Sequence, residues 1–591
     1  MENATIARLL DETASLLEID GGDSFRIRSY RRAAEAVEQQ TTQLATLATA
    51  NADPKLLLAI PGIGKGMAAN IRDLVASGSM ELRDELLTKY PATILELLKL
   101  PGMGPKTVAL VWSALQVGNI DQLETAAKAG HMNELPRMGE KFTTKLLKGI
   151  EDYRKNSSRF RIDVAKDFAD QIVVLILNFP GIETVTPAGS LRRGRETVGD
   201  LDLLATGPAC EPDVVAAAVQ YVATLPLIHN LMARGQNKVT FTLQNNLQVD
   251  VRLLPKASYG AAMQYFTGSK HHNVALRQRA IKRGLTLSEY ALLRLEDNKI
   301  VAAATEEEIY NALDLAYIPP ELRENNGEIE AAAATFSGAA TGGLPKLITL
   351  ADIHGDVHMH TTETDGTNSI REMAEAAIAR GRRYIAITDH SKHLAMTNGM
   401  DDARALAHAK RVRQVNNEME GRIHIFTGVE VDILAEGELD LEDATLAELD
   451  IVVASVHSRF DQPTDVMTAR LLRAIENPYV RILGHPTGRL LLKRESYTAD
   501  WDKLFRRAAE LGVAVEHNAA PARADLSDTN LRIAKSLGCL ISINTDAHAT
   551  NEMDYMPFGI TQLRRAWLTA KDVVNTAGSA EEFLGLLRAR P

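Results

Sequence analysis

A chain of 591 residues with 45% apolar and 24% charged side chains has an ordinary globular composition and is too long for one core, so several domains are expected. Two cysteines, Cys210 and Cys539, exclude a disulfide framework or a cysteine zinc site, and no apolar run approaches the ~20 residues that span a bilayer. The net charge of −11 argues against a uniformly basic nucleic-acid-binding surface, yet residues 251–300 hold nine basic and three acidic side chains, while the acidic surplus lies beyond residue 325. The amino terminus, MENATIARLLDETASLLEID, is acidic and amphipathic and lacks the basic-then-apolar order of a signal peptide, so a cytoplasmic location is expected.

Residues 1–150 are helix-patterned and interrupted by three short turns, PGIGKG (61–66), PGMGPK (101–106) and PRMGEK (136–141). In the first two, an apolar helix leads into two glycines and a second apolar helix. Gly62, Gly64, Gly102 and Gly104 permit a tight turn whose free backbone N–H groups can meet a phosphate, with Lys106 beside them. A lone copy would be an ordinary helical hairpin; repetition favours backbone binding without sequence readout.

From about residue 160 short β-type runs alternate with helical stretches. GSLRRG (Gly189, Ser190, Arg193) precedes GDLDLL, whose Asp200 and Asp202 at i and i+2 of a strand point to one face, and Asp250 lies in the alternating strand QVDVRLL. Three such carboxylates suit two divalent cations about 3.5–4 Å apart, the arrangement needed for nucleotidyl transfer. The glycine turn, hydroxyl and guanidinium suit a triphosphate. Arg252 and the basic segment YFTGSKHHNVALRQR follow.

Residues 325–345, NNGEIEAAAATFSGAATGGLP, are small and weakly patterned and read as a linker that is helical in part. Beyond 351, apolar strands alternate with Ala/Arg/Glu-rich helices, which points to a βα barrel with its site at the strand C-termini. Those ends carry His358 and His360, Asp365, Asp389 and His390, Glu430, His457, His485, and Asp546 and His548. Asp389 is read as a supporting residue or an occasional ligand. The other nine are too many for one metal and suit two or three ions; histidine and carboxylate without cysteine favour manganese, zinc or iron. Such a cluster suits phosphoester hydrolysis, with Arg489 a candidate phosphate contact. His131, His229, His354, His393, His424 and His517 are read as structural.

On GSLRRG, GDLDLL, Asp250 and YFTGS, residues 1–324 resemble the family-X DNA polymerases, the nucleotidyltransferases that include polymerase β. The resemblance implies a helical N-terminal domain (1–85) and fingers (86–155) with helix-hairpin-helix motifs, a mixed-sheet palm (156–255) and a thumb (256–324). It also implies two Mg²⁺ or Mn²⁺ ions at Asp200, Asp202 and Asp250, triphosphate contacts at Gly189, Ser190 and Arg193, and Tyr265, Phe266 and Gly268 beneath the incoming sugar. Asn273 and Arg277 match contacts to the nascent pair and template, and Arg252 is placed with the DNA-binding residues. The family's Schiff-base lysine for 5′-deoxyribose-phosphate removal aligns with Asn70, which cannot form that adduct; Lys65 is displaced by most of a helical turn.

On HxH, TDG, TDH, E, H, H and DxH, residues 351–575 resemble the PHP (polymerase and histidinol phosphatase) family, a distorted βα barrel with a trinuclear site, joined by a linker (325–350) and followed by a tail (576–591). The two modules in this order resemble bacterial family-X polymerases. That likeness implies a DNA repair enzyme that fills short gaps, as in base excision repair, with a 3′–5′ exonuclease, 3′-phosphatase or AP endonuclease in the second half. Gapped DNA and deoxynucleoside triphosphates would be its partners, with nucleoid association during repair and no reason to expect more than a monomer. The residues alone leave open a metal-holding but non-catalytic PHP module, and a phosphatase of small esters carried on a DNA-binding head.

Overall fold

The residue between the two glycines of each hairpin turn is apolar and buried: Ile63 in the first and Met103 in the second, with Met138 at the matching place in the third. In the first, Gly62 takes φ +97° and Gly64 caps the helix Lys65–Ser77; in the second, Gly102 takes φ +83° and Gly104 caps Pro105–Leu115, whose first residue is proline. A Cβ on Gly102 would lie 2.9 Å from the Phe142 ring, so close packing as well as φ demands glycine there. The computed structural model describes residues 3–38, 44–48, 54–60, 62–136, 138–156, 159–394 and 397–587. Pro61 and Arg137 of the expected turns, and residues 588–591 of the expected tail, lie outside the described residues.

The chain divides into two compact units. One comprises Met1–Ser158 with Thr242–Gln248 and Lys270–Lys282; the other comprises Arg159–Phe241, Val249–Ser269 and Arg283–Pro591. The first is helical. Its helices Asn3–Ile19 and Ser24–Glu38 bury Leu10, Leu16 and Leu17 with Ile27 and Tyr30 in a core shared with the hairpin helices.

The palm sheet, which belongs to the second unit except for Thr242 and Gln248 at two strand ends, has the order Thr184–Pro187, Asp200–Thr206, Gln248–Leu253, Lys238–Thr242, Asn230–Arg234. The first two strands run antiparallel, with Pro187 opposite Leu203, which brings the GSLRRG turn beside the aspartate strand. Three short antiparallel strands, Leu285–Leu287, Leu292–Arg294 and Ile300–Ala302, form the thumb sheet. Within the segment read as a linker, alanine-rich Glu328–Phe336 forms a helix with Glu328, Ile329, Ala331 and Ala332 buried. Glu328 accepts from the Asn325 and Asn326 N–H groups and so satisfies the chain end leading into it.

The remainder is a parallel seven-stranded barrel in sequence order: Gly355–Asp356, Tyr384–Ile387, His424–Asp432, Ile451–Ser455, Ile482–Leu483, Ala514–Asn518 and Ile541–Asn544. It nearly closes beyond the strand ends, where a parallel bridge joins Met359 to Ala547 and the Asp546 N–H donates to the His358 carbonyl at 3.0 Å. These strands are buried on both faces, as parallel strands are. No helix among the described residues is long and apolar enough to cross a membrane, and Cys210 and Cys539 are free and buried.

Candidate active sites

Asp200 and Asp202 open the second palm strand, with Leu201 between them turned into the core. Gly189 lies against them at φ +57°, where a Cβ would sit 2.5 Å from Asp202 Oδ2; any side chain there would displace the carboxylate. Asp250 accepts from Thr240 Oγ1 at 2.5 Å and pairs with Lys238 Nζ at 2.9 Å, which fixes its rotamer from the neighbouring strand. Burial, then Asp200 and Asp250, push the Asp202 carboxyl up to about 7, and burial and Asp250 raise Asp200. Positive charge beside Asp200 and Asp202 would keep them ionised, which divalent cations supply.

Several of the residues expected to meet the triphosphate and sugar have partners within the protein. Arg193 Nε donates to Glu324 Oε1 at 3.1 Å and its terminal nitrogen to the Thr267 carbonyl at 2.5 Å. Its neighbour Arg192 makes a bidentate pair with Glu306 at 3.0 and 2.6 Å. Tyr265 and Phe266 meet edge to face, with centroids 5.0 Å apart. Arg252, expected to contact DNA, lays its guanidinium over the Phe266 ring at 4.2 Å. Gly268 ends the helix Tyr259–Thr267 at φ +65°. Asn273 and Arg277 lie on the following helix, Lys270–Ile281, which belongs to the other unit. In the N-terminal domain Asn70 donates to the Tyr30 hydroxyl at 2.7 Å.

At the barrel mouth all nine expected metal ligands converge. Ligand atoms of His360, Asp365, His390 and His548 lie within 4.8 Å of one another, as do those of His358, His360 and Asp546, and those of His390, Glu430 and His457. Glu430 sits among them: Oε2 is 2.9 Å from His390 Nδ1 and 3.5 Å from His358 Nε2, and Oε1 is 2.9 Å from His485 Nε2. His485 and Asp546 hold positive φ, +23° and +55°, a conformation costing about 1–3 kcal/mol that the surrounding bonds must enforce.

The donor set fits metal. His358 Nε2, His360 Nδ1 and His485 Nδ1 are buried with no hydrogen-bond partner among the described residues, a costly arrangement for polar atoms that have no ligand. Carboxylates also draw positive charge onto the imidazoles. Against burial, Glu430 and Asp365 push His390 up to about 10, Glu430 and Asp432 push His457 to about 9, and Asp365 and Asp546 push His548 to about 9. Burial, with His390 and His548 as neighbours, pushes His360 down to about 4. A cation would take the place of the protons drawn onto His390, His457 and His548, while His360 is already held in the neutral form that ligates metal.

Sequence reasoning missed the residues that orient this set. Glu516 accepts from His358 Nδ1 at 2.8 Å, from Asn544 at 2.9 Å and from the His485 backbone N–H at 2.6 Å. Asp432 meets His457 Nδ1 at 2.9 Å, and Asn518 donates to Asp546 Oδ2 at 2.9 Å. Asp389 takes a supporting place: it accepts from Thr361 N–H and Oγ1 and from Thr364 Oγ1, and pairs with His408 Nε2 at 2.9 Å. Arg489 does not face the cluster. Its guanidinium donates to the Arg523 and Ala524 carbonyls and to Glu196, bracing the 523–524 loop. Arg523 is the arginine turned to the ligands, with Nε 3.5 Å from Asp546 Oδ2. His517 is buried, with Nδ1 2.8 Å from the Leu526 carbonyl.

A carboxylate-lined nucleotidyltransferase palm with helical hairpins and a thumb, joined to a PHP barrel, defines the class. Family models match in the same places: helix-hairpin-helix domain over 1–80, SAM-like helix-hairpin-helix tandem over 94–152, DNA polymerase beta thumb over 262–324 and PHP domain over 356–545. The chain is 38% identical over 589 residues, 99% of both chains, to the DNA polymerase/3′-5′ exonuclease PolX of Bacillus subtilis (strain 168). Its PHP half is 32% identical over 241 residues, 39% of this chain and 93% of the relative, to a probable phosphatase of Thermoanaerobacter sp. (strain X514). DNA polymerase lambda of Rattus norvegicus is 24% identical over 347 residues, 54% of this chain and 56% of the relative. The chain therefore belongs to the PolX family, family-X DNA polymerases with a PHP domain.

Proposed function

We propose that this protein fills short DNA gaps by template-directed polymerisation at Asp200, Asp202 and Asp250 and trims 3′ ends in the 3′–5′ direction at the PHP cluster. The observation that carries the reading is the presence, in one chain matching the B. subtilis polymerase/exonuclease over 99% of its length, of two separately built sets of metal-ligating side chains, each with its own supporting bonds. The domain limits follow the sequence reading: 1–85, 86–155, 156–255, 256–324, 325–350, 351–575 and 576–591. Gapped DNA and deoxynucleoside triphosphates are the substrates, and the enzyme acts as a monomer in the cytoplasm, at the nucleoid during repair.

At the palm, Asp200, Asp202 and Asp250 would hold two Mg²⁺ or Mn²⁺ ions, which supply activation of the primer hydroxyl and charge neutralisation on the triphosphate. This chain's residues do the rest. Thr240 and Lys238 hold Asp250 in place, Gly189 leaves room for Asp202, and Ser190 and Arg193 receive the phosphates. Tyr265, Phe266 and Gly268 form the floor under the sugar, and the hairpin glycines with Lys106, Arg252, Asn273 and Arg277 hold the DNA. At the barrel mouth the nine ligands would hold two or three Mn²⁺, Zn²⁺ or Fe ions, which supply an activated water and neutralise the scissile phosphate. Glu516 and Asp432 orient His358 and His457, and Arg523 faces the phosphate.

A one-nucleotide gapped DNA with a labelled primer, incubated with Mn²⁺ with and without triphosphates, tests this. D200A/D202A should abolish extension alone, and H358A/H360A shortening alone. If neither variant loses shortening, the PHP half acts on small phosphate esters, as its likeness to a probable phosphatase would favour, or holds metal without turnover.

A further inference from the structure

The loop carrying Arg193 is held by a helix of the PHP half. Arg565, at the end of the helix Met556–Arg565, donates through one terminal nitrogen to the Arg193 carbonyl at 2.8 Å and to Glu324 Oε1 at 3.0 Å. That carboxylate oxygen is the same one that accepts from Arg193 Nε at 3.1 Å. The opposite edge of Arg565 is fixed by Asp528 Oδ2, at 3.0 Å from Nε and 2.7 Å from the second terminal nitrogen. One turn earlier, Gln562 donates to the Gly194 carbonyl at 2.7 Å. Gly194 holds φ +69°, and a Cβ there would be 2.0 Å from Thr561 Cγ2. Two consecutive palm residues are thus gripped by one short stretch of the other half.

The charges make the grip more than packing. Arg565 is 2% exposed, Arg193 14% and Glu324 18%, so these charges interact with little screening by water. Burial would raise the Glu324 pKa, but Arg565 and then Arg193 outweigh it and keep the carboxylate ionised. One carboxylate therefore serves two guanidiniums. With Arg565 present, Glu324 Oε1 is shared between two hydrogen-bonded guanidiniums; without it, Arg193 keeps that bond, with only the Arg195 charge besides.

We infer that Arg565 is a positioning residue for polymerisation: by sharing Glu324 and holding the Arg193 carbonyl, it leaves the Arg193 guanidinium able to exchange its internal carboxylate for the phosphates of an incoming nucleotide. The inference rests on the proposed polymerase function and on Arg193 as a triphosphate contact. It makes the PHP half a component of the nucleotide site, independent of any cleavage it performs.

The test is steady-state gap filling by the full-length enzyme, with 3′ shortening measured on the same preparations. R565Q should raise the KM for the nucleotide about tenfold, within the usual range of coupling between sites, with kcat and shortening changed less than twofold. E324Q added to R565Q removes the competing carboxylate and should restore most of the lost affinity, which a merely loosened interface would not do. E324Q alone should lower KM, and this variant carries the test if R565Q loses shortening through misfolding. An R565Q enzyme that shortens normally with an unchanged KM, a double variant without recovery, or an E324Q enzyme with unchanged KM would each overturn the inference. Failure of the wild type to extend a gapped primer would instead overturn the proposed function.

Discussion

His358 Nδ1 and Glu516 Oε1 lie 2.8 Å apart, and neither side chain is reached by solvent. The bond leaves Nε2 of His358 directed at Glu430 and Asp546, each 3.5 Å away, which is the nitrogen a metal would take. Glu516 also receives the His485 N–H, so one carboxylate orients two ligands from different strands. E516Q keeps the volume and removes the charge. It should lower PHP metal content or 3′-end hydrolysis about 10–100-fold, the usual cost of losing a partner that orients a metal ligand, and leave extension unchanged. Metal analysis and primer shortening on the same sample check this; full metal occupancy with undiminished shortening would contradict it.

Glu516 also marks how far the sequence could be read. The HxH, TDH and DxH motifs stand at strand ends where the chain must expose chemistry, so residue type and position speak together. Ala514–Asn518 is buried on both faces, so alternation of apolar and polar residues, the main strand signal, carries nothing about which face Glu516 occupies. A glutamate inside an apolar strand was the one available hint. Arg489 and Arg523 show the same limit: HPTGR reads as a phosphate contact, but the carbonyls that capture Arg489 lie 34 and 35 residues away along the chain. The palm aspartates were legible because i and i+2 on a strand fixes their common face. The Glu324 and Arg565 partners of Arg193 were not, since contacts 131 and 372 residues apart leave no local pattern.

The exchange between Arg489 and Arg523 gives a second prediction. Arg523 faces Asp546 from the loop that Arg489 braces, and its side chain keeps 21% exposure, enough to meet a substrate. R523A should weaken binding of a DNA 3′ end at the PHP site about tenfold or more, the loss expected for a charge-assisted hydrogen bond to phosphate. The KM for shortening should rise while metal content stays constant. An unchanged KM would remove Arg523 from the site.

Asp250 offers a clean separation of the two activities. Thr240 and Lys238 hold both its oxygens, so D250N fits the same space and keeps the hydroxyl bond. What it loses is the ion pair with Lys238 and one negative charge from the set that would hold the cations. Extension of a gapped primer should fall at least about 10³-fold, corresponding to several kcal/mol of transition-state stabilisation. Shortening should stay within twofold of wild type; a parallel loss of both would mean that one centre serves both reactions.

The last prediction concerns stability and its dependence on acid. Glu306 is enclosed by Arg323, which has no exposed side-chain surface and pairs with it at 2.5 Å, and by Arg192 at 2.6 Å. Burial alone would raise the Glu306 pKa, but Arg323 first and then Arg192 outweigh it and hold the carboxyl below its ordinary value of 4.5. A folded pKa below the unfolded one means that the stabilisation is complete above 4.5 and is lost as pH falls from there through the folded value. E306Q strands the Arg323 guanidinium in the core and should cost about 3–5 kcal/mol at pH 7. Denaturant unfolding of wild type and variant at a series of pH values measures this. The gap between them should be constant from pH 7 to 5 and narrow below 4.5, because acid removes from the wild type the charge that the variant already lacks. A gap absent at pH 7, or one that persists undiminished into strong acid, would show that the carboxylate charge is not what holds Arg323 in place.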